Sequence, residues 1–361
     1  MRITGKRLLL GAVALGLIGA GCLRLAQPWI AERAFARALD RNVGVERWVA
    51  MGEGLHVYAC GSGSPLPDAD RAGPCLGVVA GQQAFVFDAG SGSVRKLLRM
   101  GFPIDHLRAA YLTHLHSDHF DGLGELLLQA WIGGSRGTPL PVRGPAGVDQ
   151  LVAGLAQAYT IDKGFRIAHH GEEVANPNGF GGKGEVLTLA TGQNSAVVYD
   201  ADGVKITAIR VSHAPVAPAF GYRIDYAGRS VVLSGDTAAT PTLAVAGKGA
   251  DVLFHEAMNK RMIAQMGAKL AERGHAHSAQ IMHDIQGYHA TPEEAADTAR
   301  AMGTKALVLY HLVPAPPVRL IEPLFLGEAR THFAGRLELA RDGMIVSLPA
   351  GDSAVKFRNE L

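Results

Sequence analysis

Cysteine is scarce: the 361 residues hold only Cys22, Cys60 and Cys75, which leaves room for one disulfide at most and excludes a fold built on cross-links. An excess of charge of one sign is missing too. Lys and Arg number 35 against 33 Asp and Glu, so there is no broad electropositive field of the kind that collects phosphates. Charge therefore does not point to a dedicated nucleic-acid surface. Internal repeats and low-complexity tracts are also lacking, which excludes a solenoid or a chain dominated by disorder. Apolar side chains are abundant at 48%, enough for a substantial core in one large α/β domain or two modest ones.

The amino end differs in kind from the rest. Arg2, Lys6 and Arg7 precede an uncharged apolar run from Leu8 to Leu23, closed by Arg24, the pattern of an export signal or membrane anchor. The run is short beside the roughly 17 to 25 residues of a spanning helix. Gly19-Ala20-Gly21 before Cys22 is the best cleavage site on offer, so a cleaved signal and a retained anchor both stay open. Basic residues ahead of the run place everything after Arg24 outside the cytoplasm, periplasmic or membrane-anchored and facing the periplasm. In such an oxidising compartment Cys60 and Cys75, which flank a Gly/Pro-rich turn, can pair; two buried thiols are the alternative. The expected divisions are a signal or anchor over residues 1–25, an amphipathic stalk over 26–50, a globular domain over 51–350 and a tail over 351–361.

Within the domain a pattern recurs. Ala84 to Phe87 leads into Asp88, Ala110 to Thr113 into His114, Ile206 to Val211 into His213, Val231 to Leu233 into Asp236, Val252 to Phe254 into His255, and Leu307 to Tyr310 into His311. Each apolar, strand-like run delivers a His or an Asp, as a sheet sandwich that gathers its chemistry at strand ends would do. Helices are expected over Gly122 to Trp131, Gly147 to Tyr159 and Pro292 to Met302, the last announced by the capping box Thr291-Pro292-Glu293-Glu294. Asp202-Gly203 and Ala227-Gly228 are hairpin turns. The fold class is α/β: two mixed sheets packed face to face with helices outside. Asp162 to Lys183, rich in Gly, reads as a mobile lid near the site.

The chemistry is densest at His114-Leu115-His116-Ser117-Asp118-His119, between a strand and a helix. In an extended turn His114 and His116 point the same way and can share one cation, while Asp118 and His119 are displaced toward a second. Imidazole and carboxylate donors suit zinc, with manganese or iron also acceptable. This His-x-His-x-Asp-His motif resembles the signature of the metallo-β-lactamase superfamily, and the motif order along the chain follows that family from about Leu55 to His311. The resemblance implies the αββα sandwich, with Asp88 as a buttress of the metal loop. It implies His213 as third ligand of the first metal, Asp236 as the bridge and His311 as last ligand of the second, giving two Zn2+ per chain. His255-Glu256-Ala257 followed by His289 resembles the ribonuclease Z branch and its arylsulfatase-like relatives. There Glu256 would orient His289, and His289 would stabilise the oxyanion or protonate the leaving oxygen; a purely supporting role for Glu256 is the alternative. His255 reads as packing beside the site, and His169, His170, His275, His277 and His283 as surface residues.

A pair of cations about 3.5 to 4 Å apart can hold a bridging water and lower its pKa toward about 7. The expected enzyme is thus an extracytoplasmic dinuclear-metal hydrolase of esters, a phosphodiester or an aryl sulfate, with Asp118, His289 and Glu256 catalytic. Ribonuclease Z-type cleavage of tRNA 3′ ends and lactone hydrolysis are the alternatives, and a metal-binding scaffold without turnover is the non-enzyme rival. The export segment, the balanced charge and the lack of a basic Gly/Pro arm make a small ester the expected partner and nucleic acid not. Ser117 also stands where the family usually has glycine. Homodimerisation is left open.

Overall fold

The computed structural model describes residues 5–361. Helix α1 (Gly5–Asn42) runs unbroken through Pro28, so no break in secondary structure marks the expected boundary between apolar run and stalk. From Leu10 to Asn42 it is long and apolar enough to cross a membrane by length and composition, and side chains such as Leu15, Leu17 and Leu25 are exposed. A separate compact unit comprises Trp48–Leu361.

In that unit β1 (Gly54–Gly61), β2 (Cys75–Ala80), β3 (Gln83–Phe87), β4 (Leu107–Tyr111), β5 (Leu140–Gly144) and β6 (Gly182–Val186) enter one sheet. A second sheet takes β7 (Ser195–Ala201), β8 (Val204–His213), β9 (Val216–Tyr226), β10 (Arg229–Leu233), β11 (Val252–Met258), β12 (Ala306–Val313) and β13 (Arg336–Leu339). The chain then returns to the first sheet with β14 (Met344–Pro349) and β15 (Lys356–Asn359), giving the orders β15-β14-β1-β2-β3-β4-β5-β6 and β13-β12-β11-β10-β9-β8-β7. Strands β3 to β6 and β10 to β13 are parallel, and the remaining neighbours antiparallel.

Strand alternation makes the layers. Leu55, Val57 and Ala59 of β1 face the other sheet with Val252 and Phe254 of β11 and Val308 and Tyr310 of β12, while Tyr58 and Cys60 face outward, because successive side chains leave opposite faces. The outer face of the first sheet is covered by α2 (Ser93–Arg99), α3 (Leu123–Ile132) and α4 (Val148–Ala158), with α5 (Thr160–His170) following α4. Against the outer face of the second sheet lie α6 (Pro241–Ala246) and α9 (Pro292–Met302) with α10 (Glu322–Leu326) and α11 (Ala329–His332), while α7 (Lys260–Glu272) and α8 (Ala276–Asp284) form a hairpin beside β11. Strands buried on both faces read as continuous apolar runs, which is why β11 and β12 were legible.

Asp202 and Ala227 take positive φ in their hairpin turns, each before a positive-φ glycine, as that turn class requires. The capping box of α9 is complete, with Thr291 accepting from Glu294 and Glu294 reaching back. Two expectations are corrected. Residues 351–361 are not simply a tail, because Lys356–Asn359 pairs with β14. The expected lid begins as α5, where Asp162 and Arg166 pair one turn apart at 2.6 Å, and none of its residues lines the cleft described below. One glycine inside it does not outweigh that helical spacing.

Candidate metal centre

Asp88 follows β3 and His114 follows β4, neighbours in the first sheet. Asp88 adopts φ 56, a conformation few non-glycine residues hold without surrounding support. Its carboxylate accepts from the Thr113 amide at 2.8 Å, the Thr113 hydroxyl at 2.9 Å and Nδ1 of His119 at 2.8 Å. That grip folds Ser117–His119 into one helical turn and leaves Nε2 of His119 turned toward Asp236. A hydrogen bond on one ring nitrogen fixes the tautomer and aims the other.

The second sheet supplies the rest. His213 ends β8, and its Nδ1 donates to the Tyr288 carbonyl at 3.1 Å, freeing Nε2 for the site. Asp236 stands three residues past β10, after Gly235 at φ 60. His311 lies inside β12 rather than beyond it, at a bulge in the pairing with β11 and at φ 46. The bulge swings the imidazole off the sheet toward the histidine loop.

The donors form two groups. Nε2 of His114 and Nε2 of His213 stand 3.0 and 3.4 Å from Nδ1 of His116. Oδ2 of Asp118 lies 3.5 Å from Nε2 of His119 and 3.3 Å from Nε2 of His311. Between them Oδ2 of Asp236 is 4.0 Å from His114, 3.3 Å from His119 and 3.2 Å from His311. Around a tetrahedral zinc with bonds of about 2.0–2.1 Å, neighbouring ligand atoms sit about 3.3 Å apart, so this spacing fits a cation. Nε2 of His119 and Oδ1 of Asp236 are buried without a hydrogen-bond partner among the described residues, a costly state that a cation relieves.

Electrostatics agree. Burial holds His114, His116 and His213 below the usual histidine range, in the neutral form that ligates metals. Burial would raise Asp118 and Asp236, but His311 and His119 around them keep both below the usual carboxylate range. His119 is raised against its burial by Asp236 and Asp88, two carboxylates that call for positive charge.

Glu256, fully buried on β11, accepts through Oε1 from the Thr237 amide at 3.1 Å, the Ala290 amide at 3.1 Å and Nδ1 of His289 at 3.0 Å. Burial opposes protonation of His289, but Glu256 outweighs it and lifts the imidazole to about 9. His255 packs inside, its Nδ1 bonded to the Glu256 carbonyl at 2.7 Å, and His169, His170, His275, His277 and His283 are exposed. The site opens into a cleft of about 280 Å³ where His116, Asp118, His289 and His311 face Leu66, Met282, Ile285 and Tyr288. Thr113, Tyr288 and this apolar wall escaped the sequence reading. Thr113, next to His114, and Tyr288, next to His289, each stood beside a signal. Cys60 and Cys75 are bonded, with Cα atoms 5.1 Å apart, and they close the loop that carries Leu66.

A four-layer sandwich with this donor set defines a metal-dependent hydrolase, and a divalent cation, typically zinc, is its cofactor. The family described as Beta-lactamase superfamily domain matches residues 83–312. The chain is 38% identical over 291 residues to a protein named Ribonuclease Z from Mycobacterium bovis (strain BCG / Pasteur 1173P2), a match covering 80% of this chain and 96% of that one. The fold is similar to that of the metallo-beta-lactamase fold protein YhfI from Bacillus subtilis, at TM-score 0.58 and 22% identity, over 82% of this chain and all of that one. It is also similar to human tRNase Z, short form, at TM-score 0.57 and 21% identity, over 81% of this chain and 99% of that one. The chain belongs to the metallo-β-lactamase superfamily, in its ribonuclease Z branch.

That membership corrects one expectation. The apolar leader, the net charge of only +2 and the lack of a basic Gly/Pro arm spoke against nucleic acid as a partner, yet the relatives carry the name Ribonuclease Z. A total near zero averages over the whole surface and conceals local clusters of arginine.

Proposed function

We propose that this protein is a phosphodiesterase of the ribonuclease Z type, which hydrolyses an RNA phosphodiester with two cations. His114, His116 and His213 would hold one cation and Asp118, His119 and His311 the other, with Asp236 between the two groups. When bound, the cations lower the pKa of a coordinated water and polarise the phosphoryl oxygen. Asp118 accepts a hydrogen bond from the attacking water and fixes its approach. Glu256 accepts from Nδ1 of His289 and keeps the imidazole charged, so Nε2 also carries a proton, which passes to the leaving oxygen. The O–P bond forms, the ester P–O bond breaks, and an alcohol and a phosphomonoester result. The single observation that carries this reading is the meeting of six imidazoles and carboxylates at ligand spacing, 3.0 to 3.5 Å, beside a histidine held charged.

The test is turnover by purified, metal-loaded protein of a 3′-extended tRNA precursor and bis(p-nitrophenyl) phosphate, beside an aryl sulfate, a lactone and a β-lactam. Cleavage of the phosphodiesters is expected. Turnover of only the other esters at full metal occupancy would overturn the reading.

We also propose that α1 anchors the protein in a membrane with the catalytic unit outside the cytoplasm. The apolar helix, the basic residues ahead of it and the Cys60–Cys75 bond support this. Cell fractionation with thiol labelling decides it: a soluble cytoplasmic protein with Cys60 and Cys75 reduced would refute it.

A further inference from the structure

Away from the metal centre, the open edges of the two sheets, β13 and β15, approach each other. The guanidinium of Arg336 on β13 lies 3.7 Å from the ring centroid of Phe357 on β15. Between these edges runs a cleft of about 300 Å³ whose lining includes Arg319, Arg330, Arg336, Arg341 and Arg358. The only acidic residues of that lining are Glu322 and Glu338. Glu322 pairs with Arg341, and Glu338 with Arg336 at 2.9 Å, while Arg358 meets Glu360 at 3.2 Å. Arg319 and Arg330 are exposed and make no ion pair among the described residues.

We propose that this seam is a groove that holds a single-stranded segment of RNA by its phosphates and leads it toward the metal centre, an inference that rests on the phosphodiesterase reading. Three observations carry it. Arginine forks suit phosphate geometry, and here they outnumber the carboxylates in a concave seam. Arg336 lies over the Phe357 ring, and a guanidinium plane backed by an aromatic is a surface on which an unpaired base stacks. The seam also points the right way. Strand β13 runs parallel to β12, with Arg336 opposite Ala306 and Leu339 opposite Leu309, so Arg341 lies at the His311 end. There Asp342 accepts from the Ser62 hydroxyl at 2.6 Å, and the Ser62 carbonyl accepts from the Leu312 amide at 3.2 Å. Val318 and Leu320 beside Arg319 are exposed and would suit an anionic bilayer as well, but a flat membrane reaches protruding side chains better than a concave seam.

The test uses the full chain in detergent, comparing wild type with Arg319→Gln/Arg330→Gln and with Arg319→Lys/Arg330→Lys. For single strands each neutralised phosphate contributes about 0.7 to the slope of log K against log salt, so the glutamine pair should lower that slope by about 1.4. It should raise KM for the tRNA precursor at least about tenfold and leave turnover of bis(p-nitrophenyl) phosphate unchanged, while the lysine pair keeps most of the slope. If the glutamine pair cuts and binds RNA like wild type, the groove is refuted and the phosphodiesterase reading stands. If wild type hydrolyses bis(p-nitrophenyl) phosphate but neither binds nor cuts RNA, the RNA substrate falls and the groove with it. A preference for phosphatidylglycerol over phosphatidylcholine vesicles that the glutamine pair alone loses, with RNA binding intact, assigns the seam to lipid and also overturns the proposal.

Discussion

Replacing Glu256 by Gln removes a charge while keeping the shape of the group. Oε1 would still accept from Thr237, Ala290 and His289, so the fold loses little and the change falls on His289. Burial pulls that imidazole down, and Glu256, with a smaller contribution from Asp236, raises it from 6.5 to about 9. Without the carboxylate the value falls back toward the ordinary 6.5, and for a full return, at about 1.36 kcal/mol per pKa unit, roughly 3 kcal/mol of preference for the protonated form is removed. At pH 8 the charged fraction then falls from about nine-tenths to about 3%, a loss near thirtyfold, whereas at pH 6 it changes by less than about twofold. If His289 donates the proton, kcat of Glu256→Gln on bis(p-nitrophenyl) phosphate should follow those ratios. Wild type should lose activity as pH rises through about 9, and the variant at a distinctly lower pH. Metal content by plasma mass spectrometry should not move. Stability carries the same signature with its sign fixed: a raised histidine pKa contributes fully below pH 6.5 and is lost as pH rises through about 9. Urea midpoints of the two proteins should therefore differ at pH 6 and converge above 9. A variant with the wild-type alkaline limb, or one slowed equally at pH 6 and pH 8, would refute the assignment of His289 as proton donor.

Asp236→Ala should abolish turnover and lower bound metal, because its Oδ2 stands within 3.3 Å of two histidines on the second cation's side and 4.0 Å from His114; retained turnover counts against the bridge. His213→Ala should lower the metal bound per chain relative to wild type, and an unchanged metal content would remove His213 from the ligand set. Asp88→Ala removes the acceptor shared by the Thr113 amide, the Thr113 hydroxyl and His119 Nδ1, leaving the amide without a partner and the other two only their contacts at 3.0 and 3.4 Å through Thr113 Oγ1. At about 1–3 kcal/mol for a buried unpaired donor, denaturant titration should show a loss of about that size or more, together with weaker metal binding. Cys60→Ser/Cys75→Ser opens a loop of sequence separation 15, for which chain entropy gives about 3 kcal/mol; an unchanged urea midpoint would show that the bond is not formed in the protein as made.

The metal centre was legible because imidazoles and carboxylates have few reasons to follow apolar strands except to meet one another. His114, His213 and Asp236 could be read from that alone. The sequence did not show how His311 reaches the site, since a bulge and a positive φ inside β12 leave no compositional mark. Leu66, Met282 and Ile285 were invisible as wall residues, because an apolar side chain looks the same whether it faces a core or a cleft. The lid was misread from glycine content where Asp162 and Arg166 already carried a helical spacing. Neither an apolar leader, nor a sum of charges, nor a missing basic arm excludes a nucleic-acid partner, and the five arginines of the β13–β15 seam do not show in a net charge.

His114, His116, Asp118 and His119 come from the first sheet's side of the sandwich and His213, Asp236 and His311 from the second. A cation seated among them acts as a rivet through both plates. Affinity for metal is then also a gauge of how well the plates are seated, since ligands held apart cannot close on one ion. Damage to the aromatic packing of Phe87, Tyr111 and Tyr222 between the sheets would register as leakage of metal before any ligand had been touched.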